Sequence, residues 1–115
     1  MFIPLNHKSL HIYKNIRDLV KEVYKVSLLL PTDEKFNMTQ QIRRAAISVK
    51  LNFAEGSSRK SDAERKRFKE IARGSVVEID AAIETAIDLG YLKSEQLQEL
   101  GKLLNTCFAM LSKMI

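Results

Sequence analysis

Apolar residues recur at the helical period in four stretches of the chain. Ile12, Ile16, Leu19, Val23, Val26 and Leu30 step by four and three, which makes one continuous stripe on a helix. Ile42, Ala45, Ala46, Val49 and Phe53 form a second stripe, and Phe68, Ile71, Ala72, Ser75, Ile79, Ala82, Ile83 and Ala86 a third. Leu97, Leu100, Leu104, Cys107, Leu111 and Met114 form a fourth, with Leu103 and Met110 off it. The pattern predicts an all-α fold: an antiparallel up-down bundle of four helices at about 9–30, 33–55, 61–89 and 94–115. One domain, 1–115, accounts for the whole length.

The breaks between stripes carry local signals. Pro31 restricts Leu30 and ends the first helix. Thr32 is placed to cap the second, with Asp33 and Glu34 at its positive end, and Ser9 or Asn6 is placed to cap the first. Ser61 and Glu64 have capping-box spacing at the start of the third helix, and Gly90 ends it. Gly74 lies inside that helix, where glycine costs up to about 1 kcal/mol against alanine; the usual compensation is a close helix–helix approach. The second helix carries a further apolar stripe (Ile47, Leu51, Ala54) and a polar one (Gln41, Arg44, Ser48, Asn52, Glu55). A helix apolar on two sides has two neighbours or an oligomer contact.

Composition narrows the chemistry. Four Gly, two Pro and no Trp in 115 residues leave too few turn formers for a sandwich or barrel. The single cysteine, Cys107, excludes an internal disulfide and a cysteine zinc cluster, and its place on a core stripe reads as a small hydrophobe. His7 and His11 are the only histidines; they face together only if the first helix begins before His7. No apolar run reaches the roughly 18 residues of a membrane span, and a cytoplasmic location is expected. With no Gly-rich phosphate loop, metal-ligand cluster or nucleophile–base pair, no enzymatic activity and no cofactor are expected.

Charge is the informative feature. The net charge is +5, but it is divided. From Arg43 to Arg73 ten bases (Arg43, Arg44, Lys50, Arg59, Lys60, Arg65, Lys66, Arg67, Lys69 and Arg73) face four acids, a net of +6; from Glu78 to Glu99 six acids face Lys93, a net of −5. On the third helix Lys66, Lys69, Arg73, Asp80, Glu84 and Asp88 share an outward face, positive first and negative second. That order opposes the helix dipole. Local pairs such as Asp62–Lys66 would soften the conflict; an anion, or the acidic end of a neighbouring copy, would use it. In an antiparallel hairpin centred on Ser58, Arg44 comes level with Arg73. Two guanidinium groups so placed need Glu70, Glu78 or a bound anion between them.

The blocks Gln41-Ile42-Arg43-Arg44-Ala45-Ala46-Ile47-Ser48, Asn52-Phe53-Ala54-Glu55-Gly56, Arg59-Lys60-Ser61, Ile71-Ala72-Arg73-Gly74-Ser75 with Glu78, and Leu89-Gly90-Tyr91-Leu92 closely resemble a family of four-helix-bundle proteins. That family is named for reading frames in intervening sequences of bacterial 23S rRNA genes. The resemblance covers about residues 30–92. Lys50 stands where the family often has proline, and the Trp common in its first helix is missing. The resemblance implies a left-handed up-down bundle and a ring-shaped homopentamer. It also implies kinship to the accessory variability determinant of diversity-generating retroelements, a basic pentamer that binds a reverse transcriptase and nucleic acid. Arg43, Arg44, Asn52, Glu55, Gly56, Arg73, Gly74, Ser75 and Glu78 fall within its motif blocks and look like determinants of fold and assembly rather than catalysts.

The expected function is therefore a non-enzymatic homo-oligomer that binds RNA or DNA through a basic surface. Arg43, Arg44, Lys50, Arg59, Lys60, Arg65, Lys66, Lys69 and Arg73 are the candidate contacts. Few aromatic residues lie outside core-like positions, so phosphate contacts rather than base stacking would dominate. The alternative is a protein-interaction adaptor, such as a reverse-transcriptase accessory subunit, docking through Ile47, Leu51, Leu103 and Met110 without touching nucleic acid.

Overall fold

The structure is a computed structural model and describes residues 1–115. Four helices form: α1, His11–Ser27; α2, Met38–Ser57; α3, Asp62–Asp88; and α4, Gln98–Lys113. Short 3-10 turns at Asn6–Ser9, Thr32–Glu34 and Ser94–Gln96 precede α1, α2 and α4. α2 packs on α1 and α3, and α4 closes the bundle against the same two helices. Neighbours run antiparallel: Tyr13 meets Phe53 and Tyr24 meets Arg43 between α1 and α2, and Arg73 meets Ser112 between α3 and α4.

The five stripe residues of α1 are buried, as are Leu30, three residues past its end, all five of α2, and Leu97, Leu100, Leu104, Cys107 and Leu111 of the fourth stripe. The third stripe holds at Ala72, Ile79, Ile83 and Ala86, which are buried, and departs at its edge. Ile71 is exposed and Val76 is buried in its place. Leu103, expected off the α4 stripe, is also in the core, and Met110 packs against it, because α4 faces α1 on one side and α3 on the other. Burial first, then the Asp18 carboxylate, pushes the Cys107 thiol up to about 12, so this sulfur is neutral packing material.

Helix ends follow local chemistry where that chemistry is undisturbed. Ser61 caps α3, its hydroxyl accepting from the Glu64 amide at 3.1 Å; the Glu64 carboxylate turns to Arg59 instead of completing the box. At the other end Gly90 has φ +80°, a region open to glycine. The Tyr91 amide donates to Ala86 and the Gly90 amide to Ile87, which satisfies the orphan carbonyls of the last turn.

Three expected starts are later than the sequence suggests. Leu10, not Ser9 or Asn6, precedes α1, and Leu97 precedes α4. Thr32, Asp33 and Glu34 form a separate turn, because the Glu34 carboxylate is engaged beyond it. It accepts from Asn37 Nδ2 at 3.0 Å and from the Tyr91 hydroxyl at 3.3 Å.

Candidate nucleic-acid interface

The register of the α2–α3 hairpin decides where the basic residues go. Ser75 donates to Ser48 across the seam at 2.9 Å. At Gly56 a built Cβ would lie only 2.6 Å from Phe68 Cβ. Both pairs place the hairpin's centre at Ser61–Asp62 rather than Ser58. Arg44 therefore comes level with Ile79 and Asp80, not with Arg73. No carboxylate lies within 4.0 Å of either arginine, so the expected bridge through Glu70 or Glu78 does not form. Arg44 lines an exposed hollow with Asn37, Gln41 and Glu78. The polar stripe of α2 is divided the same way: Ser48 and Asn52 are half-buried, with Asn52 donating to Ser48, while Gln41, Arg44 and Glu55 face solvent.

Five of the nine candidate contacts are engaged within the fold. Arg43 donates to the Ser27 hydroxyl at 2.8 Å, and its guanidinium lies 4.8 Å from the Tyr24 ring centre. Lys50 lies over Tyr13 at 6.0 Å. Arg59 holds Glu55 at 2.7 Å and stacks on Phe68 at 4.9 Å. Arg65 ties off the loop, donating to the carbonyls of Arg59 and Lys60 and to Asp62. Arg73 reaches Ser112 at 3.2 Å over Phe108.

The other four, Arg44, Lys60, Lys66 and Lys69, have no acidic partner. Arg67 joins them: it is exposed and unpaired, although the sequence did not place it among the contacts. In the run Arg65-Lys66-Arg67, about 100° per residue turns Arg65 toward the loop and Arg67 away from it. Lys60, Lys66, Arg67 and Lys69 crowd the loop and first two turns of α3. Three acids that would neutralise them (Glu55, Asp62, Glu64) are held by Arg59 and Arg65. The anticipated Asp62–Lys66 pair is replaced by Asp62–Arg65, since the arginine can satisfy two loop carbonyls with the same group.

Other expected features fall elsewhere. Gly74 makes no close helix contact: nothing lies within 4 Å of a Cβ built there. The close approach is at Gly56. His7 is not on α1; it is buried against Tyr13 (4.9 Å) and Phe53 (6.2 Å). Of the proposed adaptor contacts, Ile47 and Leu51 are exposed, but Leu103 is buried.

Residues 8–113 match the family model of the 23S rRNA-intervening sequence proteins. The chain belongs to this family. Comparison with curated proteins gave no match. The family match spans all four helices, so it includes the outer helices α1 and α4 as well as the motif-bearing hairpin. No helix is long and apolar enough to cross a membrane.

Proposed function

We propose that this member of the 23S rRNA-intervening sequence family is a non-enzymatic homo-oligomer that binds nucleic acid by phosphate contacts. The contacts are Lys60, Lys66, Arg67 and Lys69, with Arg44 as an outlying contact. The observation that carries the reading is the division of labour among charges: arginines hold the nearby acids, and mostly lysines are left to solvent. An ammonium on a flexible stem is a point charge suited to a phosphate backbone of any sequence. Binding is then salt-dependent and weakly sequence-specific. A ring of five copies, implied by family resemblance, would repeat the ridge around a common axis.

The test is anisotropy of a labelled RNA stem and a labelled single strand. Four phosphate contacts predict roughly a hundredfold loss of affinity between about 50 and 200 mM salt. Reversing Lys60, Lys66 and Lys69 to Glu should remove most of the binding and most of the salt slope. Arg43→Lys should leave both unchanged. A salt-insensitive affinity sinks this reading. Binding to a protein that survives nuclease treatment would instead favour the adaptor reading, for which the exposed Ile47 and Leu51 speak.

A further inference from the structure

The outermost stripe of α3 is Ala63, Arg67, Glu70, Gly74, Val77, Ala81, Glu84 and Asp88. These residues step by four and three throughout, and every one is exposed. The stripe has Arg67 and Glu70 in its first half, a centre of small and apolar residues in which Val77 is 51% exposed, and two acids, Glu84 and Asp88, at its end. None of its charges has an ion-pair partner in the chain. A regular stripe of period 3.5 is the seam of a helix pair.

We infer that a second copy of this chain docks along α3 in antiparallel fashion, about a two-fold axis passing between Ser75 and Val76. With that centre the stripe is complementary to itself. Arg67 meets Glu84 of the second copy, Gly74 meets Val77, Glu70 meets Ala81 and Ala63 meets Asp88. In a two-fold contact like flanks face each other. The flank bearing Lys66, Lys69 and Asp80 thus sets its bases toward Asp80 of the second copy. A parallel pairing would oppose base to base and acid to acid. Antiparallel pairing also brings the misplaced bases near the start of α3 beside the negative C-terminal end of the other α3. Gly74, idle within one chain, makes room for Val77.

This contact is isologous, so it cannot by itself close a five-membered ring; it joins two monomers or two rings. It also covers Arg67 and Lys66, so a second copy and a nucleic acid would compete for those cations. It does not depend on nucleic-acid binding, and its test is made without nucleic acid.

Sedimentation equilibrium of the full chain at low ionic strength reads the association directly. Arg67→Glu alone and Glu84→Arg alone should each weaken it about tenfold, because each alters two symmetry-related pairs. The double variant, Arg67→Glu with Glu84→Arg, should restore it. All these positions are exposed, and thermal melts verify that each variant folds. Gly74→Gln should abolish the association without lowering the melting temperature of the single bundle, since glutamine is the better helix former. The inference is overturned if the association ignores the single changes, if the double change does not rescue it, or if the wild-type chain has no two-fold association to lose.

Discussion

At the scale of single residues, two glycines in the motif blocks behave oppositely. At Gly56 α2 and α3 approach closely: a methyl group there meets Phe68 Cβ at 2.6 Å. Because the obstacle is a Cβ, it moves only with the backbone of α3. Gly56→Ala should cost about 1–3 kcal/mol, as overpacking does, while Gly74→Ala should gain up to about 1 kcal/mol in the isolated bundle. Urea unfolding of both, at concentrations where the chain does not associate, checks the contrast. The sequence displayed both glycines but not which one touches a neighbour. It also offered Arg43, Arg59 and Arg73 as candidate nucleic-acid contacts, whereas each guanidinium lies on an aromatic ring and donates to a nearby oxygen. A spacing argument places a side chain on a face but does not see the serine or ring waiting opposite.

At the scale of elements, the ends of α3 were legible because their signals are local. Ser61 and Gly90 act within a turn of their own positions. Ser61→Ala should cost about 1 kcal/mol, and Gly90→Ala roughly 1–2 kcal/mol for a β-carbon at φ +80°. The two sites share no partner, so the losses in the double variant should add in a denaturant titration. The start of α2 was not legible in the same way: Glu34, read as a first-turn acid, is engaged with Asn37 and Tyr91, and Tyr91 lies far along the chain. Register failed for a related reason. Apolar stripes on α2 and α3 also match after a slide of about two turns, and only specific interlocks, Ser48 with Ser75 and Gly56 with Phe68, choose one setting. That slide separates Arg44 from Arg73, so neither Glu70, Glu78 nor an anion has two guanidinium groups to bridge there.

At the scale of the whole molecule, the segment before α1 is fastened to the bundle through a titratable side chain. His7, in the N-terminal 3-10 turn, is buried against the rings of Tyr13 on α1 and Phe53 on α2. Burial, and then the positive charges of Lys8 and the terminal amino group, lower its pKa from the ordinary 6.5. A base whose folded pKa is depressed binds protons less readily folded than unfolded, so stability rises with pH across the interval between the two values. The contribution is fully present above about 6.5 and declines as pH falls toward the folded pKa. The melting temperature should therefore fall between about pH 8 and about pH 5.5. His7→Phe keeps a ring against Tyr13 and Phe53 but removes the proton site, and should flatten that dependence. If the variant's melting temperature falls as steeply as that of the wild type, the dependence does not originate at His7 and the packing of its ring is structural only.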